Sequence, residues 1–95
     1  IGGPNPFNPT DSDFYFSYNV SDPIQELKII IVNQLGDKIW DYVATNILPG
    51  YFLVPWNGKT LSGKSVTNGI YHSFAIFKTN TKTTTKKFNI AILKE

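Results

Sequence analysis

Apolar and polar residues alternate along most of this chain with the two-residue period of β-strands, and no stretch of useful length shows the 3.6-residue period of a helix. Phe14, Phe16, Tyr18 and Val20 alternate with Tyr15, Ser17 and Asn19, and Ser21-Asp22-Pro23 ends the run. A second strand is predicted over residues 26–33, with Leu27, Ile29 and Ile31 on one face. The turn Gln34-Leu35-Gly36-Asp37 leads into a third strand over 38–45, and Pro49-Gly50 closes the loop before a fourth over 51–56. Pro55 cannot donate a ladder hydrogen bond, which places that fourth strand at a sheet edge. Residues 57–69 form a turn-rich connection with a short extended piece around Val66. Strands over 70–79 and 82–93 follow, joined by a tight turn at Asn80-Thr81. Short strands separated by turn signals predict an all-β antiparallel sandwich.

The alternation also produces an anomaly. If Leu27, Ile29, Ile31, Tyr71, Ser73, Ala75, Phe77, Phe88, Ile90 and Ile92 point inward, then Ile30, Val32, His72, Phe74, Ile76, Ala91 and Leu93 point outward. An ordinary antiparallel sandwich solvates its outer face and reads polar there. Exposed apolar patches of this kind mark interfaces. Ile30, Val32, Phe74, Ile76 and Leu93 are therefore candidate partner-interface residues, facing a preceding domain, a partner protein or another copy. The competing expectation is that the N-terminal segment with Phe7 covers this face.

Composition narrows the class. Ninety-five residues make one small domain, and 41% hydrophobic with 17% charged residues is too apolar for a disordered chain. There is no cysteine, so neither a disulfide nor a thiolate zinc site holds the fold. Methionine is also absent and the chain opens at Ile1, from which processing of a longer precursor is expected. The net charge of +2 comes with nine lysines and no arginine, a poor match to nucleic-acid binding. No apolar run reaches the roughly 18–20 residues of a transmembrane helix. Prolines at 4, 6 and 9 make residues 1–10 an extended linker, anchored by Phe7, ahead of a sandwich domain over 11–95.

Five segments occur in order: PNPFNPT at 4–10, LKIIIVNQLGDKI at 27–39, PGYFLVPWNG at 49–58, SGKSVTNGIY at 62–71 and KKFNIAILK at 86–94. In this combination the chain resembles the FlgD-like immunoglobulin-fold domain, and in particular the C-terminal sorting domain of type IX secretion cargo. The resemblance implies an immunoglobulin-like sandwich of about seven strands. It implies a non-catalytic sorting or anchoring module, recognised by the secretion machinery and carried through the periplasm to the cell surface or medium. In the flagellar relatives a similar domain serves in hook-cap assembly. Asn33 and Asn57 stand where the family often has acidic residues. Under this reading Gly36, Trp56, Gly58, Gly69 and Tyr71 are turn and core positions. The last strand, with Lys86, Lys87, Phe88, Ile90, Ile92 and Lys94, is then the docking element. A self-assembling subunit of a surface layer or filament is the alternative. A carbohydrate-binding module using Tyr15, Trp40 and Tyr42 is another.

Catalysis finds little material. His72 is the sole histidine, and Ser73 beside it in a strand faces the opposite way, so the two form no dyad. Asp11 and Asp13 lack the further oxygens a calcium loop supplies. The glycines of 58–69 precede no helix and so form no phosphate loop. No cofactor is implied. Lys78, Lys82, Lys86 and Lys87, interleaved with threonines, either meet an acidic receptor or guard an exposed strand edge.

Overall fold

A computed structural model describes residues 2–94. Its seven strands are β1 (Gly2–Gly3), β2 (Phe14–Val20), β3 (Ile24–Val32), β4 (Lys38–Ile47), β5 (Gly50–Trp56), β6 (Gly69–Lys78) and β7 (Thr83–Ile92). They form two sheets, β1-β2-β5 and β4-β3-β6-β7, with every neighbouring pair antiparallel. This is the all-β antiparallel sandwich expected from the alternation, in the immunoglobulin-like form that the resemblance implies. Leu27, Ile29 and Ile31 of β3, Ala75 and Phe77 of β6, and Ile90 and Ile92 of β7 are buried against Phe14, Phe16, Val54 and Trp56 of the facing sheet. Pro55 lies in β5, an edge strand, as its missing N–H predicts.

The N-terminal segment ties the two sheets together. Gly2 and Gly3 pair with Phe16 and Tyr15 of one sheet. Phe7 then forms a parallel bridge to Ile92 of the other. The Phe7 N–H donates to the Ala91 carbonyl (2.7 Å), and the Leu93 N–H donates to the Phe7 carbonyl (2.9 Å). The Asn5 amide donates to the Asn89 carbonyl (2.8 Å) and accepts from the Ala91 N–H (3.0 Å). Between these attachments the Phe7 ring is fully buried, 5.5 Å from Phe14 and 5.8 Å from Trp56.

Glycine makes the close approach possible at both ends of this aromatic cluster. A Cβ on Gly2 would lie 2.6 Å from the Phe14 ring. Gly58 has φ of +77°, and a Cβ there would lie 2.7 Å from Pro9 and 3.3 Å from Phe7. Trp56 closes the same end, its indole N–H donating to the Lys59 carbonyl (2.9 Å). At the start of β6 the Tyr71 hydroxyl donates to the Thr67 carbonyl (2.9 Å), the tyrosine corner of immunoglobulin-like sandwiches.

Burial predicts the stability cost of removing this anchor. Phe7→Ala should destabilise the fold by about 3–5 kcal/mol, whereas Leu35→Ala, at an 86% exposed turn position, should change it by less than about 0.5 kcal/mol. Urea unfolding followed by tryptophan fluorescence measures both.

Candidate interaction surfaces

The outer face of the four-stranded sheet carries a band of half-buried apolar side chains. Across β3 and β6, Ile30 pairs with Phe74, Val32 with His72, and Lys28 with Ile76. Across β6 and β7, Phe74 pairs with Lys87, His72 with Asn89, and Ile70 with Ala91. Four of the five residues expected at an interface, Ile30, Val32, Phe74 and Ile76, thus sit on two adjacent strands. Leu93 lies apart, exposed just past the end of β7. The same alternation adds two residues missed by the sequence reading: Ile70 on β6, and Val43 on β4 opposite Lys28. Polar groups frame the band. The Lys87 ammonium stands 5.7 Å from the Phe74 ring centroid, Lys38 pairs with Asp41 at 2.7 Å, and His72 Nδ1 hydrogen-bonds Asn89 Oδ1 at 2.9 Å. His72 is therefore a surface strand residue held by an amide.

The last strand divides between core and surface. Ile90 and Ile92 are buried, and Phe88 stacks on Phe14 at 6.1 Å. Lys87 is on the outer face, Lys86 on the inner side at an open end, and Lys94 follows the strand with its N–H on Asn68 Oδ1 (2.8 Å). A partner reaching folded β7 would meet lysines, threonines and main chain, while Ile90 and Ile92 stay inside. Among the turn positions, Gly36 follows Asn33, whose amide oxygen accepts from the N–H groups of Leu35 and Asp37 (3.0 Å each). An acidic residue at 33 would offer the same acceptor, so asparagine preserves the turn. Gly69 opens β6, two residues ahead of Tyr71.

Where β2 outruns β1, the sandwich is open between β2 and the first half of β7. A cavity of about 340 Å³ lies there, lined by Tyr18, Ile24, Phe77, Lys82, Thr84 and Lys86 among others. Tyr18 packs edge-to-face on Phe77 at 4.9 Å, and its buried hydroxyl has no hydrogen-bond partner among the described residues. Burial pushes this phenol up to about 12.

The three aromatics considered for sugar binding do not form one platform. Tyr15 pairs with Pro55 on the three-stranded sheet, with the inward Phe14 and Phe16 on either side. Trp40 turns inward, parallel to Phe16 at 6.1 Å and to Tyr42 at 6.4 Å. Among the described residues no group of three or more His, Cys, Asp or Glu side chains could hold a metal ion.

No protein-family model matches this sequence, and no curated protein matches it. Among solved structures, it is similar to FlgD from P. aeruginosa, with 20% identity and a TM-score of 0.67 over 85% of this chain and 61% of that one. The chain therefore spans less than two thirds of that protein's length. At this identity the likeness establishes the fold. It also corrects the finer half of the sequence resemblance: the structure matched is FlgD, so the type IX secretion assignment is overturned.

The Tyr18 environment yields a pH prediction. The folded-state pKa lies above the unfolded value of about 10, so the stability contributed by the neutral phenol is intact below pH 10 and lost as pH rises toward 12. Tyr18→Phe should remove that part of the alkaline loss and leave stability at pH 7 equal or higher, because an unpartnered buried hydroxyl goes with it. Denaturation midpoints from pH 8 to pH 12 would show the difference.

Proposed function

We propose that this chain is a non-catalytic structural module of an extracytoplasmic bacterial assembly, a surface layer or filament, working by protein–protein contact. The observation that carries this reading is the outward apolar band of Ile30, Val32, Phe74 and Ile76 on the sheet β4-β3-β6-β7. Water normally selects polar residues at such positions, and an apolar band loses free energy to solvent that a protein partner would return. The FlgD-like fold and the hook-cap role implied by the sequence resemblance support an assembly function of this class.

Recognition here needs no reacting group. Phe74 is the natural anchor, since aromatic side chains at the centre of a patch dominate binding energy. Lys28 and Lys87, each opposite a member of the band, supply charge that keeps the free module soluble. The neighbour is a further copy of the chain or another subunit of the same assembly.

Introducing charge into the band tests the reading. Phe74→Asp with Ile76→Asp should weaken self- or partner association at least about tenfold, in line with loss of a hot spot of ~2 kcal/mol, while circular dichroism keeps the β-sheet spectrum. Multi-angle light scattering reads the mass; association unchanged in a folded double variant would refute the proposal.

A further inference from the structure

The sandwich has four edge strands, β1 and β5 in one sheet and β4 and β7 in the other. Free edges pair readily with other chains, and proteins blunt them with brevity, proline, lysine or covering segments. Three of the four edges carry at least one of these devices, although residues 50–54 of β5 and residues 17–20 of β2, beyond β1, are also uncharged. β1 is two residues long. β5 contains Pro55. β7 carries Lys86 and Lys87, and its far half is covered by Asn5 and Phe7. β4 is ten residues long and has none of these devices over residues 42–45, Tyr-Val-Ala-Thr. Its outer side is met at one end, where the Leu61 N–H donates to the Ile39 carbonyl (2.9 Å).

The direction of the main-chain groups follows from the registers. Ala91 and Leu93 turn theirs away from β6, toward Phe7. Neighbouring residues of a strand bond to opposite sides, so alternation carried through β6 and β3 directs Trp40, Tyr42 and Ala44 to β3. Asp41, Val43 and Thr45 then face outward, on the side where Ile39 meets Leu61. None of these three has a main-chain partner on that side among the described residues. Val43 is also 51% exposed.

We infer that the β4 edge pairs antiparallel with β4 of a second copy, about a two-fold axis at Val43. This deepens the assembly reading above and rests on it. In this register Val43 faces Val43, and Asp41 faces Thr45 of the second copy, so no like charges meet. Pairing about Asp41 would instead oppose two carboxylates. Residues 42–45 offer no charge for an acidic or basic strand to read, whereas β-branched Val43 and Thr45 suit a self-complementary ladder. Asn46, at φ 55°, interrupts the extended backbone just past this stretch, one residue before β4 ends. Residues directly opposite in an antiparallel pair share a face, so the axis stands perpendicular to the sheet. The two four-stranded sheets become one of eight strands, and their apolar outer bands lie side by side.

The test uses the Phe74→Asp/Ile76→Asp chain, in which the outer-face contact is already disabled, alongside the unmodified chain. Sedimentation velocity should still show a concentration-dependent dimer. Adding Val43→Lys opposes two ammonium groups about 5.5 Å apart at the Cα atoms and should weaken that dimer at least tenfold, with near-ultraviolet circular dichroism unchanged. Val43→Glu should do the same, and an equimolar mixture of the two should restore dimer. Amide exchange at Val43 and Thr45 should slow at least tenfold in the dimer, which a face contact would not produce. A monomer at every concentration in the Phe74→Asp/Ile76→Asp chain overturns the edge pairing even where the unmodified chain assembles. So does a dimer indifferent to Val43→Lys, or a mixture that stays monomeric.

Discussion

The packing of Phe7 against Phe14 and Trp56 is the interaction on which the rest of this fold depends. It closes one end of the sandwich and joins its sheets, because the chain that carries Phe7 pairs with β2 on one side and bridges β7 on the other. Neither sheet could bury its aromatics alone. Phe14 and Phe16 from one sheet need Phe88 and Trp40 from the other, at ring distances of 5.7 to 6.1 Å. The rings are large, so the backbone must come close around them, and Gly2 and Gly58 stand where a methyl group would collide. Aromatic volume and glycine placement are two sides of one packing solution.

Alternation made most of this architecture legible. It located six strands, five of which have a buried face and a more exposed one while edge strand β4 has no fully buried residue, and the buried set from Leu27 to Ile92 followed from counting by two. It missed β1, since two glycines carry no pattern, and that strand exists only through pairing with residues twelve or more positions on. It also began β3 at residue 26, although Ile24 is buried, because Pro23 masks the start of the run. The outer band was legible for the same reason as the core. The separation of Tyr15 from Trp40 and Tyr42 was not, because membership of a sheet depends on topology that local pattern does not encode. In the last strand, lysines and isoleucines adjacent in sequence are divided between surface and core by the period of two. The type IX reading took that strand as its docking element, and the folded chain instead shares its architecture with FlgD.

Two tendencies coexist on this surface. Lysines and threonines along β7, Pro55 in β5 and the docked N-terminal segment all suppress indiscriminate strand pairing. Apolar side chains on the β3–β6 face and the uncharged stretch of β4 favour contact. Within the four-stranded sheet the division is spatial, with a blunted edge at β7 and an uncharged one at β4. A module built this way resists random aggregation while leaving one side able to join neighbours in a defined orientation.

The tie between Asn5 and the last strand spans sequence separations of 84 and 86 residues. Synthesis proceeds from the N-terminus, so the chain must wait for β7 before Phe7 has a strand to bridge or β6 a second neighbour. Until then β2 and β3 have partners, but the sandwich lacks one wall. High contact order of this kind makes closure a late, slow event. The nascent module therefore stays open until β7 is made, and it locks only when the segment carrying Asn5 and Phe7 meets that last strand.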